Sequence, residues 1–599
     1  MNLTDLIAIY RPGGFLSHKQ GYEYRPQQET LATAIHMNHG HLMAEAGTGS
    51  GKTLAYLVPL IANAMQTNIP AVVATSTIAL QEQLLKEAQS LTGLFPGLKA
   101  SLLKGKAQYL CPLRLDGALH SAPDQDTWQR LRLIDLYHAH GKSQRSQMPP
   151  DALPVWSKVD ASVCQQQCVT CPLQRARQEA QRSHLVIVSH ALLLADRENK
   201  ILPRYQDIVV DEAHRLEDVA TDATSFTITE QSFDDLRLLV NTDLDYQVNA
   251  YIKMATLHAE EPLEEGEPQL IVNNERWVTL CRKYQEVHNA LISLGLSLLL
   301  LTPKDPSIRA QQAEALFRLE TLRDRLDLFF RPDDNVRWFQ GTLRYAPLRV
   351  SNRLSELWAG RRAALVSATL KESSGFPRHR LGLGPGPEMT LESPFAYKEQ
   401  CLLVLGDDDP REEDYPETVA KVLDDLYDEL GGAILCLCTS VESMLAIEKQ
   451  MKSPHLTQNV DGERGQLLER FKQGGTVLLG LNTFWEGVDL VGDHLQALVI
   501  TRLPFDVPSD PLHRARSLLQ PEPFWGYALP RCAMKLRQGF GRLIRSTTDR
   551  GVCLILDGRM TNKRYGRHLL EELPPCTIAH HPSAARHWFR PQAVSTLRA

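Results

Sequence analysis

Short apolar runs alternate with amphipathic helical patterns along much of the chain. Near its start, "GHLMAEAGTGSGKTLAYLVPLIANAM" (40–65) reads as an apolar run, a glycine-rich turn and a helix, and "AVVATSTIALQEQLL" (71–85) repeats that order. Strands that alternate with helices indicate a parallel sheet covered by helices. The pattern therefore predicts an α/β domain here, and a similar series after residue 396 predicts a second one.

Two stretches interrupt this alternation. Cysteines, prolines and polar turns dominate the first, whereas the second reads as mostly helical and contains the acidic loop "EEPLEEGEP" (260–268). Both are interpreted as insertions into the first α/β domain. The predicted boundaries are 1–105, 175–220 and 345–395 for the first domain, 106–174 for the cysteine-bearing insertion, 221–344 for the helical insertion, and 396–599 for the second domain.

The composition is that of a folded protein, with 43% hydrophobic residues and a net charge of −6 over 599 residues. This charge gives no overall attraction to nucleic acid, so a DNA-binding surface would have to be a local basic groove. The most apolar run, "LISLGLSLLLL" (291–301), is too short for a membrane-spanning helix, which needs about 20 residues. Since no signal peptide is recognisable at the start, the sequence predicts a cytoplasmic protein without a membrane segment.

A phosphate-binding loop is predicted between the first strand and the helix that follows it. The segment A-G-T-G-S-G-K-T fits the P-loop pattern except that alanine occupies the first glycine position. Glycines let backbone N–H groups close around phosphates at a helix N-terminus, where the helix dipole favours anions. The lysine can reach the β- and γ-phosphates, and the threonine can hold Mg²⁺. The predicted residues are Ala46, Gly47, Thr48, Gly49, Ser50, Gly51, Lys52 and Thr53.

An acidic pair follows a second apolar run in "DIVVDEAH" (207–214). The run is strand-like and would bring Asp211 to the carboxyl end of a parallel strand, where open α/β sheets bind their ligands. We expect Asp211 to bind Mg²⁺, mostly through water. Glu212 would then orient and deprotonate the water that attacks the phosphate.

Positive charge for phosphoryl transfer is expected from the second domain. In "QGFGRLIRS" (538–546), Arg542 and Arg545 lie three residues apart, which places them on one helical face. Together with Gln538 they are assigned to catalysis. Because they belong to the second domain, they can reach the γ-phosphate only when that domain closes over the first. The pattern therefore predicts ATP hydrolysis coupled to domain movement.

Taken in order, the motifs resemble those of superfamily 2 helicases, in particular the XPD/DinG branch of iron–sulfur DNA helicases with its bacterial DinG and YoaA members. The resemblance extends from "YRPQQ" (24–28) to "DGR" (557–559) and includes "EAGTGSGKT", "DEAH", "SATL", "SPFAY", "FWEGVDL" and "QGFGRLIRS". It implies two RecA-like P-loop motor domains, the first interrupted by an iron–sulfur insertion and a helical arch. Further implied roles are adenine recognition for Arg25 and Gln28, lining of the cleft for Glu486, Gly487 and Asp489, coupling of hydrolysis to movement for His214, Ser367 and Thr369, and contact with the DNA backbone for Thr75, Ser76, Thr439 and Ser440.

The four hydroxyl residues assigned to DNA have a second interpretation. Small hydroxyl side chains can donate hydrogen bonds to phosphates without reading sequence. The same residues, however, commonly cap helices that follow strands. The residues alone do not decide between these two roles.

The resemblance also implies what the protein does. It indicates an ATP-dependent helicase that uses ATP and Mg²⁺, moves 5′ to 3′ on single-stranded DNA and unwinds forked or tailed duplexes as a monomer, in repair or replication. One alternative is a DinG-type accessory helicase of a type IV CRISPR interference complex. Another is an ATP-driven remodeller that separates no strands. The first two of these functions would involve a protein partner, which is the replication and repair machinery or a CRISPR effector complex.

The segment "CQQQCVTC" (164–171) supplies three metal-ligating cysteines, Cys164, Cys168 and Cys171. Spacing alone slightly favours zinc, since four-cysteine zinc sites use similar spacings. The resemblance adds Cys111, at the end of "LLKGKAQYLC", as the fourth ligand and implies a 4Fe-4S cluster held by four thiolates. Metal binding would stabilise an insertion that has little hydrophobic core of its own.

Overall fold

The computed structural model describes residues 1–162, 171–229, 232, 269–270, 306–331, 333–372, 374–462, 464–485 and 492–589, with single positions between 285 and 299. The strands, in chain order, are β1 (His41–Ala46), β2 (Ala71–Thr75), β3 (Ala100–Leu102), β4 (Leu185–Ser189), β5 (Asp207–Asp211), β6 (Phe226–Ile228), β7 (Gln269–Leu270), β8 (Val336–Phe339), β9 (Leu343–Ala346), β10 (Arg362–Ser367), β11 (Glu388–Leu391), β12 (Cys401–Leu405), β13 (Ile434–Leu437), β14 (His455–Thr457), β15 (Val477–Gly480), β16 (Ala497–Ile500), β17 (Gly551–Ile555) and β18 (Thr577–Ala579).

The described α-helices connect and cover these strands. In chain order they are α1 (Leu3–Tyr10), α2 (Pro26–Met37), α3 (Lys52–Thr67), α4 (Ile78–Ser90), α5 (Pro112–His120), α6 (Gln125–Ala139), α7 (Pro172–Gln181), α8 (His190–Asn199), α9 (Leu216–Thr224), α10 (Pro306–Phe330), α11 (Ser351–Trp358), α12 (Tyr397–Gln400), α13 (Tyr415–Leu430), α14 (Val441–Glu448), α15 (Arg464–Lys472), α16 (Asn482–Trp485), α17 (Pro511–Ser517), α18 (Leu529–Phe540), α19 (Arg559–Asn562), α20 (Arg564–Glu571) and α21 (Ala584–Trp588).

Two parallel sheets form the centre of the molecule. The first has the order β11-β1-β10-β5-β2-β4-β3 and the second the order β14-β15-β13-β16-β17-β12-β18. Their central strands are apolar and buried, as expected for parallel strands covered by helices on both faces. The prediction of two α/β domains is confirmed, whereas the residue boundaries given above stay predictions.

The helical insertion contains a small sheet that the sequence did not predict. Its described part includes the 25-residue helix α10 and a four-stranded antiparallel sheet in the order β6-β9-β8-β7. The register pairs Phe226 with Tyr345 and Ile228 with Leu343, so the sheet joins the two ends of the insertion. These strands have only two to four residues, too short for a recognisable periodicity, and β6 pairs with a strand more than a hundred residues later. The acidic loop lies outside the described residues.

The cysteine-bearing insertion has a small core of its own. Leu110, Leu115, Leu131, Ile134 and Trp156 are buried together where α5 and α6 meet the segment Pro150–Lys158, which forms 3₁₀ turns. This core is much smaller than those of the two α/β domains.

The apolar run 291–301 shows a buried and an exposed side where it is described. Leu291 and Leu298 are buried, whereas Leu296 and Leu299 are exposed. This agrees with a helix that packs one face against the protein. In the part of the chain that the structure describes, no helix combines the length and apolar character needed to span a bilayer.

Candidate functional site

Residues of both α/β domains line two adjoining cavities in the cleft between them. The cavities have volumes of about 630 Å³ and about 470 Å³. Lys52 and Glu212 from the first domain and Arg542 and Arg545 from the second contribute to the walls of both. The cleft therefore brings together charged residues that are hundreds of positions apart in the sequence.

The loop between β1 and α3 has a conformation that requires glycine at two positions. Gly49 and Gly51 have φ angles of +80° and +76°. A Cβ atom at Gly49 would lie 2.1 Å from the ring of Phe395, and one at Gly51 would lie 2.2 Å from Nε2 of Gln28. Other residues would therefore be strained at both positions and would also clash with a neighbour.

Lys52 begins α3 and points back over this loop. Its Nζ donates a hydrogen bond to the carbonyl oxygen of Ala46 at 3.1 Å. Burial lowers the pKa of Lys52, while the nearby carboxylates of Glu212 and Asp211 oppose that shift. An anionic phosphate beside this ammonium group would favour its charged form further. The loop therefore offers a positive, glycine-shaped cradle for phosphate.

Arg25 and Gln28 hold the loop from its outer side. Gln28 Nε2 donates to the carbonyl oxygen of Gly51 at 2.9 Å, and Arg25 Nη1 donates to that of Gly49 at 2.5 Å. Tyr22, which the sequence interpretation missed, donates its hydroxyl to Oε1 of Gln28 at 2.9 Å. Arg25, Gln28 and Tyr22 all line the smaller cavity. An adenine base bound in that cavity would therefore lie next to them.

Asp211 and Glu212 form a closely coupled acidic pair. Asp211 is the last residue of β5, and burial together with the charge of Glu212 raises its pKa to about 7. Burial also raises the pKa of Glu212. The nearby charges of His214 and Lys52 lower it by more, so the net pKa of Glu212 is lowered. Glu212 has a φ of +52°, unusual for a residue with a side chain and typical of functional sites. The two carboxyls therefore titrate as a pair with opposite tendencies.

A chain of hydrogen bonds leads from this pair to the second domain. His214 Nδ1 is 2.7 Å from Ser367 Oγ, and Ser367 Oγ also lies 3.4 Å from Oε2 of Glu212. The backbone N–H of Thr369 donates to Ser367 Oγ at 3.2 Å. Gln538 Nε2, from the second domain, donates to Thr369 Oγ1 at 3.0 Å. The structure thus connects these predicted coupling residues across the cleft.

Arg542 and Arg545 are not on one helical face, contrary to the sequence interpretation. Helix α18 ends at Phe540, and the two arginines lie in the irregular segment beyond it. The carboxylate of Asp549 accepts hydrogen bonds from the backbone N–H of Arg545, at 2.7 Å, and of Ser546, at 2.9 Å, and so shapes this turn. Both arginines nevertheless line the cleft.

The predicted DNA-contacting hydroxyls occupy different environments. Thr75 is fully buried, and its Oγ1 donates to Oδ2 of Asp211 at 3.3 Å. Its expected role is therefore corrected, because a buried hydroxyl that holds Asp211 has no surface to offer a nucleic acid. Ser440 is exposed and caps α14, as the alternative interpretation proposed, while Ser76 and Thr439 are half-buried. Glu486, Gly487 and Asp489 lie outside the described residues.

The segment between the two domains contacts the phosphate loop directly. Ser393 Oγ donates to the carbonyl oxygen of Thr48 at 2.7 Å, and the hydroxyls of Thr48 and Tyr397 are 2.9 Å apart. The ring of Tyr397 also lies beside that of Phe540, with centroids 5.8 Å apart. "SPFAY" is among the recognised motifs, but its position beside the loop could not be read from the sequence.

Two of the four predicted metal ligands are described, and both are buried. Cys111 and Cys171 belong to the same hydrophobic cluster. Each stands immediately before a helix that begins with proline, α5 and α7 respectively. Thiolates at these positions would be stabilised by the helix dipoles, so both residues fit an anionic metal–thiolate site. Cys164 and Cys168 lie outside the described residues.

Several known proteins with similar sequences or folds are helicases. A DEAD/DEAH box helicase model matches residues 24–115, a DEAD_2 model 142–233 and a helicase C-terminal domain model 423–576. The chain is 30% identical to the ATP-dependent DNA helicase YoaA of Haemophilus influenzae, over 96% of this chain and 97% of that protein. It is also 30% identical to the ATP-dependent helicase DinG of Mycobacterium tuberculosis, over 96% and 95% of the two chains. A solved XPD helicase structure shares the fold, with a TM-score of 0.59 at 15% identity over 93% of this chain and 100% of that one.

Proposed function

Because the chain belongs to the XPD/DinG-like family of superfamily 2 helicases, we propose that it moves 5′ to 3′ along single-stranded DNA and unwinds duplexes at the expense of ATP. The observation that carries this proposal is the composition of the cleft. Lys52 and Glu212 from one domain and Arg542 and Arg545 from the other line the same cavities. A site completed by two domains converts hydrolysis into relative movement, as a motor requires.

In this mechanism the first domain binds and activates the reactants. Backbone N–H groups of the loop and the ammonium group of Lys52 hold the phosphates of ATP. Thr53 and Asp211 provide oxygen atoms suited to Mg²⁺, which when bound neutralises charge on the phosphates. Glu212, with its lowered pKa, is ionised at neutral pH and accepts a proton from the attacking water.

The second domain supplies charge and responds to hydrolysis. Arg542 and Arg545 stabilise negative charge that develops during phosphoryl transfer. Loss of the γ-phosphate removes their anionic partner and weakens the closed arrangement. The path His214–Ser367–Thr369–Gln538 then transmits the change, because it joins the neighbourhood of Glu212 to α18.

The DNA substrate is proposed from the family and from exposed hydroxyls. Ser76, Thr439 and Ser440 remain candidates for contacts with the DNA backbone, since each is at least partly exposed. Single-stranded DNA and forked or tailed duplexes are the substrates we propose, with the protein acting as a monomer in the cytoplasm. A role in replication or repair and an accessory role beside a CRISPR effector would be distinguished by the genes next to this one.

Unwinding polarity is the first prediction. We expect the protein with ATP and Mg²⁺ to separate a duplex that carries a 5′ single-stranded tail and to leave one with only a 3′ tail intact. A strand-displacement assay with matched sequences measures this. Unwinding from 3′ tails alone would contradict the direction, and ATP hydrolysis without separation of either substrate would favour the ATP-driven remodeller.

The cysteine-bearing insertion is proposed to hold a 4Fe-4S cluster through Cys111, Cys164, Cys168 and Cys171. The positions of Cys111 and Cys171 at two helix N-termini support thiolate ligation. The cluster would contribute folding free energy to an insertion with a small core.

Replacing one ligand is the second prediction. Cys171→Ser in the anaerobically purified protein should lose the iron and acid-labile sulfide of the wild-type protein and, with them, unwinding. Cys576→Ser is the matched control, because Cys576 is a half-buried thiol of the second domain. Zinc without iron in the wild-type protein, or full iron content in Cys171→Ser, would contradict the assignment.

A further inference from the structure

Arg537, which precedes Gln538 on α18, makes a contact across the cleft that the sequence interpretation did not anticipate. Its Nη2 donates to Oε1 of Glu45 in β1 at 2.5 Å. Glu45 immediately precedes Ala46, the first residue of the phosphate-loop motif, and Arg537 stands five residues before Arg542. The contact therefore joins the strand that carries the loop to the helix that leads to the arginines.

Glu45 is held firmly within the first domain. Its Oε2 accepts hydrogen bonds from the backbone N–H groups of Leu370, at 2.6 Å, and Lys371, at 2.7 Å. The side chain is 7% exposed. This carboxylate thus fixes the segment after Ser367 and Thr369 while it receives Arg537 from the other domain.

Arg537 has a second carboxylate within reach in its own domain. Glu572 lies 3.6 Å away, against 2.5 Å for Glu45, and its side chain is 32% exposed. If the domains separate, Arg537 keeps Glu572 and water as partners, and Glu45 keeps two backbone donors. Neither group is then left buried without a partner, so the cost of separating the domains stays small enough for a reversible motion.

We propose that Arg537 is a positioning residue that gains Glu45 as a second carboxylate partner beside Glu572 when the cleft closes, and so sets Gln538, Arg542 and Arg545 over the bound nucleotide. The Glu45 contact is more buried than the Glu572 contact, and charges attract more strongly where water is excluded. The ion pair therefore contributes to the closed arrangement and little to nucleotide binding by the first domain. This inference rests on the proposed function, since it assigns a step to the same ATPase cycle.

The test measures ATP turnover of the full-length protein with saturating single-stranded DNA. Arg537→Gln should lower kcat by about tenfold or more, equivalent to one lost interaction of moderate strength, with KM for ATP changed less than about threefold. Arg537→Lys, which keeps the charge, should recover most of the lost kcat. Glu45→Gln should resemble Arg537→Gln, and the double variant should be no worse than either single one, because both remove the same contact.

Arg411→Gln is the matched control, since Arg411 is an arginine of the same domain whose side chain is 81% exposed. It should keep kcat near the wild-type value. The inference would be overturned by an equal kcat for Arg537→Gln and wild type, or by an effect on KM instead of kcat. Additive losses of kcat in the double variant would also overturn it. A wild-type protein without DNA-stimulated ATPase activity would instead contradict the proposed function, so the two failures are distinguishable.

Discussion

Replacing Lys52 with alanine is expected to reduce ATP turnover by at least about a hundredfold, the loss typical when one preorganised charge or donor is removed from a phosphoryl or acyl transfer site. Lys52 is half-buried beside the phosphate loop, and its Nζ donates a hydrogen bond to the carbonyl oxygen of Ala46. A water molecule in place of the ammonium group would carry no charge, so the phosphates would be less neutralised. Steady-state phosphate release with and without single-stranded DNA measures the effect.

The same variant should keep its affinity for single-stranded DNA within about threefold, because Lys52 lies inside the cleft and DNA affinity comes from phosphate contacts elsewhere on the surface. Lys86→Ala is a matched control, since Lys86 is an exposed lysine of the same domain on α4. Turnover in Lys52→Ala that equals the control would remove Lys52 from the site. A parallel loss of DNA affinity would mean that the substitution disturbs the domain as a whole.

The sequence predicted the parts of the site that depend on local chemistry. Glycines at positions with positive φ and a lysine at the start of a helix have a recognisable pattern, and so does an acidic pair after an apolar strand. Each of these features is decided by neighbours within about ten residues. For that reason the residue pattern alone was sufficient to place the loop around Lys52 and the strand end at Asp211.

Contacts between distant segments could not be predicted in this way. Thr75 was predicted to contact the DNA backbone or to cap a helix, but β2 pairs with β5 and brings its hydroxyl to Asp211, to which it donates a hydrogen bond. Helix α18 ends at Phe540, and Asp549 shapes the turn at Arg545 and Ser546 that follows, which periodicity does not reveal. Glu45 and Arg537 lie 492 positions apart, so only the packing of the two domains shows that they meet. The pairing of β6 with β9 in the helical insertion was missed for the same reason, whereas the neighbouring strands β8 and β9 are too short to recognise.

Replacing Arg545 or Arg542 with alanine is expected to lower kcat for ATP by about a thousandfold or more, as for arginine residues that stabilise the transition state of phosphoryl transfer. Binding of a non-hydrolysable ATP analogue should change much less, because the phosphate loop and Lys52 belong to the other domain. Single-turnover hydrolysis together with equilibrium binding of a fluorescent analogue separates the two effects. Arg411→Ala is the control, since Arg411 is an arginine of the same domain whose side chain is 81% exposed.

Electrostatics gives the physical reason to expect a large effect on kcat and a small effect on nucleotide binding. Arg542 and Arg545 contribute, after His214 and Lys52, to the lowered pKa of Glu212 although they belong to the opposite domain. Their field therefore already reaches the carboxylate that we propose receives the proton of the attacking water. Because that field is strongest where charge develops during the reaction, its removal should affect kcat far more than nucleotide affinity. Conservation of kcat with loss of analogue binding would place the arginines in nucleotide binding and not in catalysis.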